Sequence, residues 1–107
     1  MFGIKQETFT ERKLNYWTYC FTYDKTWLDT FGQCEYGYNS FIEVYKAIEE
    51  DKKINKEMQK AIDEPQCYYH ALFYEWNEED NCYYYREYEI KHRRRKNGKI
   101  HIWGVEL

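Results

Sequence analysis

The stretch YEIKHRRRKNGKIHIWGVEL, residues 88–107, predicts a β-hairpin and decides the fold class of this chain. Two runs rich in β-branched and aromatic residues flank the dipeptide Asn97-Gly98. This dipeptide is the strongest short-range signal for a hairpin, because Asn and Gly both accept the positive φ that a two-residue turn requires. We therefore expect two antiparallel strands that meet at this turn.

A two-residue turn also determines which residues lie opposite one another, beginning with Lys96 and Lys99. One face of the hairpin is then predicted to carry three pairs, which are His92 with Trp103, Ile90 with Val105, and Tyr88 with Leu107. The other face is predicted to carry Glu87, Glu89, Lys91, Arg93 and Arg95 beside Ile100, Ile102 and Glu106. This pattern is typical of a sheet with one side packed on a helix and one side in water.

The strand pattern extends upstream of the hairpin. Residues 67–76 and 82–94 are β-rich and are joined by the polar residues 77–81, so that 67–76, 82–94 and 99–107 predict a three-stranded antiparallel meander. Residues 67–76 are apolar on both faces, which indicates a central strand. Residues 14–23 predict another strand, with Trp17, Tyr19, Phe21 and Tyr23 on one face.

One amphipathic helix is predicted over residues 40–64. Ser40 and Glu43 have the spacing of a capping box. The apolar residues that follow recur at the helical period, and these are Phe41, Val44, Tyr45 and Ile48. The apolar stripe slips at residues 49–53, so the helix either continues with a bend or breaks into two, and Pro65 ends it in both cases.

The 107 residues are expected to form a single domain. Residues 1–13 are polar and predict a loose N-terminal arm or a short edge strand. Asp24 is a candidate N-cap for a short helical turn that contains Trp27, Leu28 and Phe31 and stops at Gly32. The predicted fold is α+β: an antiparallel sheet of four or five strands with the 40–64 helix packed on one face.

Cofactor and metal motifs are absent from the sequence. The four cysteines, Cys20, Cys34, Cys67 and Cys82, form no C-x-x-C pair, and the five glycines are isolated. The N-terminus lacks the apolar segment of a signal peptide, and no apolar run is long enough to cross a membrane. We expect reduced thiols, a cytoplasmic location, no metal, no cofactor and no enzymatic activity.

Charge is concentrated in one segment, which we call the basic tip. It contains six of the sixteen Lys and Arg residues and no acidic residue, so that ten cations face nineteen acidic residues elsewhere. These six are Lys91, Arg93, Arg94, Arg95, Lys96 and Lys99. A solvated charged turn explains such a tip, and so does an element that docks on an acidic protein. A third explanation is a site for single-stranded nucleic acid, with Tyr83, Tyr85 or Trp103 stacked on bases.

His92 and His101 are the candidates for catalysis. The expected register places them diagonally on one face, where two imidazoles could act as the base and the acid in RNA cleavage. A structural role for His92 at the edge of the core is the simpler interpretation.

The segment between the first two meander strands is acidic, and it predicts a surface for a protein partner. Its carboxylates are Glu75, Glu78, Glu79 and Asp80, and its aromatic rim is formed by Tyr74, Trp76, Tyr83 and Tyr85. Carboxylates steer the encounter with a basic cleft, and desolvated aromatic side chains supply most of the affinity. A solvated turn is again the alternative interpretation.

The composition favours a protein that works by binding, because four Trp, thirteen Tyr and six Phe residues accompany 33% charged residues. Our leading hypothesis is an acidic inhibitor that covers the basic active site of a nucleic-acid-acting enzyme, such as a toxin nuclease or a defence nuclease. Immunity proteins and phage anti-defence proteins have this profile. The alternatives are a nucleic-acid-binding module that uses the basic tip and a homo-oligomeric structural protein, including a homodimer.

Overall fold

The computed structural model describes residues 3–28, 32–62 and 67–107, and for residues 58–62 it describes the backbone alone. The elements are β1 (Ile4–Lys5), α1 (Gln6–Arg12), β2 (Tyr16–Thr22), β3 (Gly32–Gln33), β4 (Tyr36–Gly37), α2 (Phe41–Ile62), β5 (Tyr68–Asn77), β6 (Cys82–Arg94) and β7 (Ile100–Glu106).

The main sheet confirms the predicted α+β fold. It contains five antiparallel strands in the order β3-β2-β5-β6-β7, and β1 pairs separately with β4. Strand β5 lies at the centre of the sheet, and β5, β6 and β7 form the predicted meander. Ala71 and Leu72 are adjacent residues that point to opposite faces of β5, and both are buried, in agreement with the apolar pattern on both faces of residues 67–76.

Helix α2 begins at the predicted capping box. The amide of Glu43 donates to Ser40 Oγ at 3.2 Å, and the amide of Asn39 donates to Glu43 Oε2 at 2.8 Å. Both bonds satisfy amides that have no partner within the helix. The helix is continuous from Phe41 to Ile62, and the predicted end at 63–65 lies outside the described residues.

The core lies between α2 and one face of the sheet. Val44 and Ile48 are fully buried against Tyr19 and Ala71, with Trp17 packed at the margin. Burying an aliphatic side chain of this size contributes roughly 1.5–3 kcal/mol relative to leaving it exposed. The odd-numbered residues of β2 therefore face the helix, as the alternation predicted.

The N-terminal segment is more ordered than the sequence predicted. Short strand β1 agrees with the edge-strand alternative, but residues 6–12 form helix α1. Its buried residue Phe9 packs on Tyr16, with ring centroids 5.3 Å apart. Lys13 ends the helix in the left-handed conformation, with φ of 57°. Phe9 is the one buried residue of this helix, so the sequence carries no periodic apolar signal for it.

Residues 24–28 form a turn in place of the predicted helical turn. The Asp24 carboxylate accepts hydrogen bonds from the amides of Thr26 at 3.0 Å and Leu28 at 3.1 Å. Trp27 has φ of 62°, which a right-handed helix does not allow. The remaining predicted positions, 29–31, lie outside the described residues, and Gly32 belongs to β3.

The predicted register of the β6–β7 hairpin is wrong by one residue. Arg95 and Lys99 close a three-residue loop: the Arg95 amide donates to the Lys99 carbonyl at 2.8 Å, and the Gly98 amide donates to the Arg95 carbonyl at 3.0 Å. Only Gly98 in this loop has a positive φ, of 84°. The Asn97 side chain accepts from the Lys99 amide at 3.0 Å. This is a turn followed by a left-handed glycine, which inserts one more residue than a two-residue turn.

The register shift exchanges the two faces of β7. Tyr88, Ile90 and His92 face the helix side opposite Glu106, Gly104 and Ile102, so the pairing of His92 with Trp103 is contradicted. Glu89, Lys91 and Arg93 lie on the other face, opposite Val105, Trp103 and His101. His92 and His101 therefore lie on opposite faces of the ribbon, which removes the predicted pair for RNA cleavage.

Candidate functional site

The loop between β5 and β6, which we call the acidic loop (residues 78–81), is held by its own hydrogen bonds. The amide of Asp80 donates to Asn77 Oδ1 at 2.9 Å. The Tyr84 hydroxyl donates to the Asp80 carboxylate, and Asn81 adopts a left-handed φ of 52°. Asp80 is therefore part of the scaffold of the loop.

Glu78 and Glu79 occupy a different position in the acidic loop. Both are exposed, and neither forms an ion pair within the part of the chain that the structure describes. The bonds of Asn77 and Asp80 restrict the backbone that carries them. Because hydrogen bonds already restrict the loop, a cationic partner that binds these two carboxylates orders little further backbone.

The predicted aromatic rim lies together on the sheet face away from α2. Trp76 lies opposite Tyr83, and Tyr74 lies opposite Tyr85. Ring centroids are 5.0 Å apart in the first pair and 5.4 Å in the second. Glu75 is separated from this rim, because it lies on the helix side of the sheet.

Two members of the rim serve the fold. The Tyr83 hydroxyl lies 3.1 Å from the Phe9 carbonyl oxygen and 2.9 Å from that of Leu14, to which it donates. Since both carbonyls belong to the end of α1 and its exit, Tyr83 attaches α1 to β6. Burial raises the pKa of Tyr83, as expected for a phenol that donates a hydrogen bond away from water.

Tyr74 is likewise packed. Its ring stacks on Tyr16 at 5.0 Å, and its hydroxyl donates to Gln33 Oε1 at 3.1 Å. Burial raises the pKa of Tyr16 to about 12, with smaller contributions from Tyr74 and Tyr83. Tyr74 therefore connects β5 to the core of this face and to β3.

The aromatic surface next to the acidic loop is formed by other side chains. Tyr85 and Tyr84 are 54% and 52% exposed, on opposite faces of β6. Trp76 is partly exposed, and the Lys13 ammonium lies 5.1 Å from its ring centre. The sequence prediction included Tyr85 and missed Tyr84. The run Tyr83-Tyr84-Tyr85 contains the missing signal, because alternation in a strand places its middle member on the opposite face.

The basic tip lies at the far end of the β6–β7 hairpin. Strand β5 pairs with β6 only as far as Tyr88, so residues 89–105 form a two-stranded segment that we call the basic ribbon. Every residue from Lys91 to His101 is exposed. The Cα radius of gyration is 15.1 Å, against about 13 Å for a compact domain of about this length. This excess agrees with a ribbon that projects from the body.

The cations of the basic ribbon are divided between its faces. Lys91 and Arg93 lie on the face away from α2, and Arg94, opposite Ile100, lies on the other face. Within the described ranges, the one ion pair in the ribbon joins Lys91 Nζ to Glu89 Oε1 at 3.0 Å. The Arg side chains of the tip therefore keep a charge that no described carboxylate neutralises.

A Cys, a His and a Glu also meet on the face away from α2. The His70 ring stacks on Trp27 with centroids 3.6 Å apart, and His70 Nδ1 lies 3.5 Å from Glu87 Oε2 without forming a hydrogen bond. Burial lowers the pKa of His70, although Glu87 opposes this. The Cys20 thiol faces the His70 carbonyl at 3.8 Å, and burial raises the pKa of Cys20 to about 12. A protonated, buried thiol is a poor nucleophile, which argues against a nucleophilic role for Cys20.

The described residues contain no group of three or more His, Cys, Asp and Glu side chains arranged to hold a metal ion. All four cysteines are free thiols, and Cys20 and Cys67 are buried. None of the described helices is both long enough and apolar enough to cross a membrane. Comparison of the chain with protein-family models, curated proteins and solved structures finds no match.

Proposed function

We propose that this protein acts by binding, and that its acidic loop covers the basic active site of a nucleic-acid-acting enzyme. The observation that carries the proposal is the position of two exposed carboxylates, Glu78 and Glu79, on a hydrogen-bonded loop at the end of a β-hairpin, where neither forms an ion pair with a described residue. A toxin nuclease neutralised by an immunity protein, or a defence nuclease blocked by a phage protein, is the class of partner that fits. Inhibition is by steric exclusion with complementary charge.

The affinity comes from the tyrosines next to the loop. Tyr85 was part of the predicted anchor and keeps that role, and Tyr84 joins it because it is exposed on the other side of the same strand. Tyr74 and Tyr83 support the site indirectly, because their hydroxyl groups bond to β3 and α1. Exposed tyrosines bury large area at low entropic cost, which makes them effective anchors at an interface.

A non-enzymatic role in a reducing cytoplasm is part of the proposal. The separation of His92 and His101 on opposite ribbon faces and the raised pKa of the Cys20 thiol support the absence of catalysis. The free thiols support a reducing cytoplasm, where cysteines stay unpaired. Two of them, Cys20 and Cys67, are buried, as small apolar side chains commonly are.

The test is a double charge reversal in the acidic loop. Glu78→Lys with Glu79→Lys is compared with Glu50→Lys with Glu57→Lys, which reverses the same number of charges on exposed positions of α2. Each variant is used as bait in lysate of the source organism, and the recovered partner is then purified and titrated by calorimetry. We expect the loop variant to bind at least about tenfold more weakly, as for other close charge pairs at interfaces.

The control should bind like the parent protein, and both variants should unfold at the parent temperature, because all four positions are exposed. Equal partner affinity for the loop variant and the parent would refute this choice of site. Equal weakening by both variants would show that net charge, and not the acidic loop, governs binding. Tyr85→Ala should also weaken partner binding, whereas Tyr36→Ala, which removes an exposed tyrosine elsewhere, should not. Equal weakening by both would indicate a general loss of aromatic surface and not an anchor at Tyr85.

A further inference from the structure

The corrected register gathers a cationic and aromatic surface on one face of the basic ribbon. On the face away from α2, Lys91 lies opposite Trp103, Arg93 lies opposite His101, and Arg95 is bonded to Lys99 at the loop. The members of this surface are Lys91, Arg93, Arg95, Lys99, His101 and Trp103. Same-face neighbours along a strand are about 7 Å apart, so the cations form a regular row.

Two of these side chains form a stacked pair. The His101 and Trp103 rings have centroids 5.1 Å apart and an interplanar angle of 23°. Trp103 is 37% exposed. On this face of the ribbon, no carboxylate lies between Trp103 and the loop that joins β6 to β7. A planar aromatic surface is thus flanked by cations on the neighbouring strand.

We propose that this face binds single-stranded nucleic acid. Arg93, Arg95 and Lys99, which form no ion pair among the described residues, contact the phosphates. A base stacks on one face of the Trp103 ring, and His101 packs on the other face. This combination of a cationic track with an aromatic stacking surface is how proteins bind single strands without reading their sequence.

Protection of the sheet edge does not account for this arrangement. Charge alone discourages strand pairing at an exposed edge, and it does so whichever face carries it. Here the aromatic pair and Arg93 lie together on one face, whereas Arg94 lies on the other face, opposite Ile100.

The proposal is independent of the acidic loop. Tyr85 and Lys91 are the nearest members of the two sites on strand β6, and they are six residues apart, which corresponds to about 20 Å. Both sites lie on one strand at opposite ends, so each can be occupied alone, and a variant in one leaves the other unchanged.

The experiment measures binding of a fluorescently labelled single-stranded RNA of about 20 nucleotides, and of the DNA of the same sequence, by fluorescence anisotropy. The salt concentration is varied from about 50 to about 200 mM, because affinity that depends on phosphate contacts falls steeply over this range. Arg93→Ala with Arg95→Ala removes two charges from the proposed face. Arg94→Ala with Lys96→Ala removes two charges from adjacent positions and is the matched control. Circular dichroism checks the fold of each variant.

We expect Arg93→Ala with Arg95→Ala to lower the affinity at least about tenfold and to reduce the salt slope by roughly 1.4, since each phosphate contact on a single strand contributes about 0.7. The control should stay within about threefold of the parent protein. Trp103→Ala should lower the affinity by about five- to 150-fold, as for other base-stacking residues, and leave the salt slope unchanged.

Three outcomes would overturn the proposal. The first is no binding at the lowest salt. The second is an equal loss in both Arg pairs, which would indicate charge without a binding face. The third is equal affinity for heparin with no effect of Trp103→Ala, which would indicate a surface for polyanions or acidic proteins. Glu78→Lys with Glu79→Lys must still bind RNA, so failure of the acidic-loop proposal and failure of this one are distinguished.

Discussion

Tyr83 and Tyr85 provide the sharpest test of which aromatic side chains support the fold and which are available to a partner. They lie two residues apart on the same face of β6. The Tyr83 hydroxyl donates to the Leu14 carbonyl and also lies close to the Phe9 carbonyl, whereas the Tyr85 hydroxyl has no hydrogen bond among the described residues and its side chain is exposed. Replacing each by Phe removes one oxygen and nothing else.

Tyr83→Phe should lower the free energy of unfolding by about 1 kcal/mol, the net value of one intramolecular hydrogen bond, because the Phe9 carbonyl still accepts from the Leu14 amide. For a urea m-value of about 2 kcal/mol/M, this loss lowers the midpoint by about 0.5 M. Tyr85→Phe should leave the midpoint unchanged. The assay is urea unfolding followed by fluorescence and circular dichroism.

Hydrogen exchange adds a local readout. Because Tyr83 attaches α1 to β6, Tyr83→Phe should increase exchange in residues 9–14 and leave the central strand β5 protected. Equal midpoints for the two Phe variants, with unchanged exchange in α1, would refute the assignment of Tyr83 to the scaffold. Tyr83 would then return to the partner-binding surface that the sequence predicted.

Two further predictions concern stability. Ile48→Ala should cost about 2–5 kcal/mol because Ile48 is fully buried, whereas Ile54→Ala, at a position 56% exposed, should stay within about 0.5 kcal/mol, both measured by urea unfolding. Burial lowers the pKa of His70 below its ordinary value of 6.5, so the unfolded chain binds the proton first and stability should fall as the pH decreases below 6.5. His70→Gln should give a flatter dependence between pH 5 and 7, and a dependence as steep as the parent's would contradict the assignment to His70.

Much of the fold follows from local patterns. The capping box at Ser40 and Glu43 begins α2, and the alternation in β2 correctly predicts that Trp17, Tyr19 and Phe21 share one face. These predictions succeed because side chains repeat every 3.6 residues in a helix and every two in a strand, whatever lies around them. The apolar pattern of residues 67–76 placed β5 at the centre for the same reason.

The site residues depended on more than local pattern. The acidic loop was predicted from its composition, and the structure places Tyr74, Trp76, Tyr83 and Tyr85 on one face as alternation requires. Which of them remain exposed depends on α1, whose docking on Tyr83 involves residues more than 60 positions apart in the sequence. No pattern in the β6 segment indicates that contact.

The sequence by itself determined the helix, the meander, and the opposite charges of the acidic loop and the basic tip. The tertiary structure alone decided the register of the β6–β7 hairpin, and with it the face on which His101 and Trp103 lie. The physical reason is the bonding of a few groups at the loop: Arg95 pairs with Lys99, and Asn97 accepts from the Lys99 amide. The resulting shift of one residue reverses every side chain of β7, because the period of a strand is two.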